Sequence, residues 1–195
     1  MARASSRERI LDAAQAVVLA DGAAHLTLDA VAARAGLSKG GLIYNFPSKD
    51  ALLRAMMERL IREMEKARRR VRARLAPGPA REIKAHVLSF LNPSPKHRRL
   101  CAALLAALAH DPRMVNPVNR AYRATFDQFI AHGLAREEAA VIALAVDGLF
   151  LLDLLNVRGF APRERGRIVA RLLRLADEAA ARPPRSVARK TRRTP

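Results

Sequence analysis

Residues 22–53 read GAAHLTLDAVAARAGLSKGGLIYNFPSKDALL, and their spacing describes two short helices joined by a tight turn. Thr27 is placed to N-cap a helix whose apolar positions, Leu28, Val31, Ala32 and Ala35, keep helical spacing. Gly36 supplies the residue that tolerates left-handed backbone and ends it. A second helix opens at Ser38, another N-cap, with Lys39 in its first turn and Leu42 and Phe46 at i,i+4 giving it one buried side. Its other side is free. Pro47 stops that helix, and Ser48 caps a longer one marked by the stripe Leu52, Leu53, Met56, Met57, Leu60, Ile61 and Met64. Helix, glycine turn and polar-faced helix is the arrangement that places a recognition helix in a DNA major groove.

Working outward, Ser5 and Glu8 form a capping-box pair ahead of Ile10, Leu11, Ala14, Val17 and Val18, one face of a helix that Gly22 closes. That helix completes a three-helix unit. The helix after it, residues 48–75, ends in KARRRVRAR, six cations in nine residues, before Pro77, Gly78 and Pro79 break the chain. At about 1.5 Å of rise per residue this run lies many turns from the recognition helix, so it reads as a solvated face rather than as a DNA contact.

Composition bounds the alternatives. Half of the 195 residues are apolar, enough for a core, and Lys plus Arg exceed Asp plus Glu by 36 to 18, a net charge of +18 that suits a polyanionic partner. No apolar run has the length of a signal peptide or a membrane span, so the expected location is cytoplasmic with no membrane partner. The single Cys101 sits at the start of an Ala/Leu run, which marks it as buried filler. His25, His86, His97, His110 and His132 are scattered without metal-ligand spacing. There is also no phosphate loop or nucleophile elbow, so no metal, no cofactor and no enzymatic activity are expected.

Beyond the Pro-Gly-Pro break, helical patterns recur between punctuation marks: residues 80–91, 96–110, 113–133, 136–157 and a last helix opening at Pro162. Within the third, Asn116-Pro117 either starts the helix or kinks one already begun. The fold class is all-α with about nine helices. The expected division is a helix-turn-helix unit at 1–47, a helical regulatory domain at 48–182 and a disordered basic tail at 183–195.

Thr27, Val31-Ala32, the stretch AGLSKG at 35–40, Phe46 and SKDALL at 48–53 resemble, in order and in context, the N-terminal signature of TetR/AcrR-type transcriptional regulators. One position departs. Where that family commonly has tyrosine three residues before the phenylalanine, this chain has Ile43, followed by Tyr44 and Asn45. The resemblance implies a homodimer that reads a palindromic operator in double-stranded DNA, most simply a repressor released by an unidentified small-molecule effector. A ligand-independent or activating regulator, or a basic helical module for anionic membranes or partner helices, stand as the other readings. On the reader, Lys39, Gly40, Gly41, Ile43 and Tyr44 would face the groove, while Thr27, Ser38, Asn45 and Lys49 fall where the family holds the phosphate backbone.

The resemblance further implies that the C-terminal helices hold a ligand pocket and that the last two pair across a two-fold axis. Residues 136–157 are apolar nearly all round, more than one core face needs, so Leu149 and Leu152 with Val169, Leu172 and Leu173 are candidates for the dimer seam. Asp147, Asp153 and Asn156 interrupt that apolar helix. They either edge the seam, pair with arginines or line the pocket, Asp147 leaning to the first two. The candidate pocket has walls of Phe126, Phe129 and Phe150 with Asp153 or Asn156 as the orienting polar group, and Phe90 and Leu104 as further wall candidates. A carboxylate there would favour a cationic or hydrogen-bond-donating effector unless an arginine reaches in.

Overall fold

The computed structural model describes residues 5–110 and 115–182, and the expectation of a disordered basic tail lies outside them. Nine α-helices and one short 3-10 turn make up the described residues, with no strand among them. α1 (Ser6–Asp21), α2 (Leu28–Ala35) and α3 (Lys39–Asn45) form the N-terminal unit, and the 26-residue α4 (Lys49–Arg74) leads away from it for about 39 Å. α5 (Arg81–Phe90), α6 (Pro95–His110), α7 (Val115–Ala131), α8 (Arg136–Leu154) and α9 (Pro162–Ala181) complete the chain.

The capping side chains set these boundaries. Thr27 Oγ1 accepts the Ala30 N–H at 3.1 Å, Ser38 Oγ the Gly41 N–H at 3.1 Å and Ser48 Oγ the Ala51 N–H at 3.1 Å, each satisfying a donor the helix itself leaves unpaired. Ser5 does the same for the Glu8 N–H, whereas the Glu8 carboxylate turns to Arg59 of α4, 3.5 Å away. At the other end of α2, Gly36 adopts φ 63° and ψ 42°, and the Leu37 N–H returns to the Ala32 carbonyl at 3.0 Å. That closure needs left-handed backbone, the reason a glycine stands there.

α8 stops at Leu154, three residues short of the expected end. Asn156 explains the difference. It is the one described non-glycine residue at positive φ, 53°, and the Val157 N–H folds back onto the Leu152 carbonyl at 2.9 Å in the same kind of closure. Asparagine is the residue that replaces glycine most readily there.

α5 is the hub. It packs against α4, α7, α8 and α9, and its Ile83, Ala85 and Val87 are fully enclosed. Within the reader, Ile10, Leu11, Leu26, Val31, Leu42 and Phe46 fill the core, and α1 also packs on α4 and α6. Arg59 of α4 ties to Asp12 of α1 as well as Glu8, and Arg99 of α6 donates to the Leu19 carbonyl of α1. The reader is therefore fastened to the helices that bound the second domain.

The basic run at 66–74 is only partly the solvated face expected of it. Arg68 is 6% exposed, paired with Glu65 at 2.7 Å and hydrogen-bonded to Gln128 Oε1 of α7 at 2.8 Å. Arg72 reaches the buried Glu82 of α5 at 2.6 Å. Arg68 continues the stripe Met57, Leu60, Ile61, Met64 at helical spacing, so helix phase turns it inward although its charge favours water.

Candidate DNA-reading surface and ligand cavity

On α3, Leu42 and Phe46 are buried and leave Lys39, Gly40, Ile43 and Tyr44 facing outward, Tyr44 at 90% exposure. The Arg7 guanidinium lies 5.0 Å from the Phe46 ring centroid and closes the seam below the helix. Lys39 Nζ meets the exposed Asp29 of α2 at 3.0 Å, so its ammonium is parked at the edge of the outward face. Thr27, Ser38 and Lys49 are exposed at three successive helix starts. Because Thr27 and Ser38 cap as acceptors, each hydroxyl keeps its proton to donate outward. Asn45 is less free. It is half-buried and its Nδ2 donates to the Gly41 carbonyl at 3.0 Å.

The two glycines differ. A Cβ on Gly40 would meet nothing within 4 Å, whereas one on Gly41 would stand 3.3 Å from Ser38 Oγ, so Gly41 also makes room for the cap of its own helix.

The second site is a cavity of about 410 Å³ bounded by α4, α5, α6, α7 and α8. Phe126, Phe129 and Phe150 line it, as do Phe90 and Leu104. The rings interlock: His86 stacks on Phe90 with centroids 5.0 Å apart and meets Phe129 edge-on at 5.4 Å, while Phe90 and Phe150 are 4.5 Å apart. Cys101 is in the wall too, and burial pushes its thiol up to about 12, leaving it unreactive packing.

Asp153 and Asn156 do not line this cavity. Asp153 pairs with Arg165 of α9 at 2.7 Å, and Arg165 also donates to the Leu91 carbonyl at 3.0 Å, a tie between α8, α9 and the end of α5. Asn156 terminates its helix. The acid that α8 contributes to the wall is instead Asp147, one turn before Phe150 on the inward phase, close to Tyr122 and raised above the usual carboxylate range by burial. The remaining polar groups include Arg68 and Glu65 of α4, His86 of α5 and Gln128 of α7. Arg68 and His86 were not among the sequence-based candidates. Their signal was phase: Arg68 follows Met64 by four residues, and His86 lies three after Ile83 and four before Phe90.

Burial, with a smaller contribution from the Arg68 charge, lowers the His86 pKa to about 4. The neutral ring is thus required in the folded state, whereas the unfolded chain takes up its proton near pH 6.5. Stability from this residue is complete above that pH and is lost as pH falls toward 4, a change of about 3 kcal/mol. His86→Phe is expected to flatten that slope in urea unfolding series between pH 7 and 4. An unchanged slope would mean that His86 takes up its proton as readily in the folded protein as in the unfolded chain.

The candidate dimer-seam residues divide as well. Leu149 and Leu172 are buried inside the subunit, and Leu152, Val169 and Leu173 are half-buried. Leu149 and Leu172 therefore serve the subunit's own core and are not open to a second chain. The exposed apolar stripe on α8 is Val141, Leu144, Leu151 and Leu155, with Gly148 between them.

Residues 10–56 match the bacterial regulatory proteins of the tetR family, and residues 80–177 match the tetracyclin repressor-like C-terminal domain. The HTH-type transcriptional regulator BetI of Stenotrophomonas maltophilia is 30% identical over 178 residues, 84% of this chain and 88% of its own length. The chain belongs to the TetR family: it is a helix-turn-helix, DNA-binding transcriptional regulator, not an enzyme. Among solved structures, a transcriptional regulator from Rhodococcus sp. Rha1 superposes with a TM-score of 0.68 at 21% identity, over 92% of this chain and 100% of that one. The multidrug binding protein EbrR complexed with ethidium gives a TM-score of 0.67 at 24% identity, over 88% of this chain and 98% of that one. Among the described residues no helix is long and apolar enough to cross a membrane.

Proposed function

We propose that this regulator is a homodimeric repressor, acting in the cytoplasm on a palindromic operator and released when a small apolar molecule fills the cavity. The carrying observation is that one helix belongs to both sites. α4 starts with Lys49 beside the recognition helix, and its Met57, Leu60, Ile61, Met64 and Arg68 wall the cavity. A ligand that wedges α4 against α7 changes the angle at which the reader leaves the body, and in a dimer it changes the distance between two readers. Only a preference for one state is needed. A tenfold loss of DNA affinity corresponds to about 1.4 kcal/mol of differential ligand binding.

In this reading residues 1–47 are the DNA-reading domain, with Thr27, Ser38, Lys39, Gly40, Gly41, Ile43, Tyr44, Asn45 and Lys49 as its contact set. Residues 48–182 carry the cavity and the dimer seam. The seam is the stripe Val141, Leu144, Leu151 and Leu155 with the partly buried Leu152, Val169 and Leu173 beside it. Support for an apolar effector comes from the ring-lined walls of the cavity.

The test is binding to a promoter duplex bearing a palindrome next to the gene and to the same duplex scrambled, over a salt series. A specific reader keeps a gap of about 10³-fold or more when salt has removed the nonspecific part. Equal affinity at every salt concentration would refute operator recognition.

A further inference from the structure

The cavity is apolar in most of its wall, which makes its few unpaired polar atoms informative. Arg68 Nη1 and His86 Nε2 are buried and have no hydrogen-bond partner among the described residues, and both residues line the cavity. They face the same cavity from two helices that pack on each other, α4 and α5. Arg68 is 6% exposed and His86 7%, so bulk water does not serve these atoms. An orphaned buried donor is costly to a fold unless something completes it.

We propose that this pair is the head-group site of the effector, and that the effector is an apolar molecule carrying a hydrogen-bond-accepting anion, an aryl or alkyl carboxylate. The inference rests on the cavity being the effector site. Arg68 Nη1 can only donate, and a neutral imidazole can present Nε2–H, so both atoms suit an acceptor. Net charge does not decide it: Glu65 is paired with Arg68 at 2.7 Å and with the exposed Arg69, outside the wall, at 3.2 Å, so the two unpaired donors, not an excess of positive charge, call for an acceptor. Asp147, the other acid in the wall, lies close to Tyr122 and belongs to α8. The expectation of a cationic or hydrogen-bond-donating effector rested on Asp153, which is paired with Arg165 and does not line the cavity, whereas Arg68 does. This head-group site sits on α4 itself, so a carboxylate drawn to Arg68 competes with Glu65 and Gln128 for the guanidinium and acts directly on the helix that carries the reader.

Naphthalene-2-acetate, naphthalene-2-acetamide and 2-(naphthalen-2-yl)ethylammonium share one apolar body and differ in the head group. The chain has no Trp, so naphthyl fluorescence reports binding without overlap. The full-length protein is titrated with each probe, free and on operator DNA, as wild type, Arg68→Met, Arg68→Lys and His86→Phe. The acetate is expected to bind tightest and to weaken the DNA complex, and Arg68→Met is expected to weaken the acetate by about tenfold or more while leaving the amide and the ammonium within about twofold. Arg68→Lys, which keeps the charge but loses the second nitrogen, should fall between. Circular dichroism on each variant separates loss of binding from loss of fold, and His86→Phe repeats the test should Arg68→Met not fold. Equal binding of all three probes, or tightest binding of the ammonium, overturns the head-group assignment and leaves the cavity as the effector site. No binding of any probe to a protein that still holds its operator overturns both.

Discussion

Leu172→Glu is expected to unfold the subunit, whereas Leu144→Glu leaves it folded and monomeric. The two leucines lie on adjacent helices and both look like seam residues by composition, but their surroundings are opposite. Leu172 is 5% exposed on the face of α9 that packs against α5 and α8. An ionised glutamate there loses its water with no partner in place, and the cost of several kcal/mol is comparable with the entire 5–15 kcal/mol that holds an average domain together. Leu144 is 65% exposed and belongs to the run Val141, Leu144, Gly148, Leu151, Leu155, whose alternating steps of three and four residues are those of a helix-helix seam. Gly148 has open space where a side chain would stand, which lets a partner helix approach. A charge at Leu144 meets water in the free subunit and its own copy in the dimer. Sedimentation should give a monomer with an unchanged circular dichroism spectrum, and affinity for a palindromic operator should fall by about 10²–10⁴ because the second reader is no longer tethered to the first. A dimer that survives Leu144→Glu would place the seam elsewhere, and a folded Leu172→Glu would show that α9 is not core.

Which face of a helix meets its own chain and which meets a second one is the part that the residues alone did not settle. The excess of apolar positions on α8 announces that it is covered twice, but Leu149 and Leu144 are equivalent until α5 and α9 are in place. The same limit governs the cavity. Phe126, Phe129 and Phe150 sit on the lining side because aromatic bulk seeks the interior on any helix. Asp147 and Asp153, in contrast, are interchangeable in composition and separated only by helical phase, 100° per residue. The phase turns Asp147 to the cavity and Asp153 to Arg165 of α9. Charge misled at Arg68 for a related reason: a run of six cations reads as solvated, and only its register with Met64 and Ile61 shows that one member points in. The caps and closures of α1 to α4 at Thr27, Ser38, Ser48, Gly22 and Gly36 were legible, since these residues act on backbone one turn away and need no tertiary context. Asn156 belongs with them. Its meaning was local, a left-handed closure, where a ligand contact had been expected.

Binding to operator DNA is expected to fall by about 10³–10⁵ between 50 and 200 mM salt, the largest effect in the system, if each subunit places three to five Lys or Arg side chains on phosphates. Lys39 and Lys49 should separate cleanly within that total. Lys49 is exposed at the first position of α4, and in the proposed contact set it holds phosphate, so Lys49→Ala should lower affinity alike on every duplex and reduce the log-log salt slope by about 1 per subunit. Lys39 stands in the first turn of α3 with Tyr44 and Ile43 on the same outward face, where its ammonium can reach a guanine edge. To do so it must leave Asp29. Both partners of that pair are more than half exposed, and such a pair holds roughly 0–1 kcal/mol, less than the about 1–3 kcal/mol a specific base contact returns. Lys39→Ala should therefore cost about 1–3 kcal/mol on the operator, with the loss confined to one base position per half-site. Asp29→Asn, which frees the ammonium, should leave affinity equal or slightly higher. Competition footprints on operators substituted one base pair at a time give the answer. If Lys39→Ala weakens every sequence equally, Lys39 holds phosphate, and base reading on this face falls to Ile43 and Tyr44.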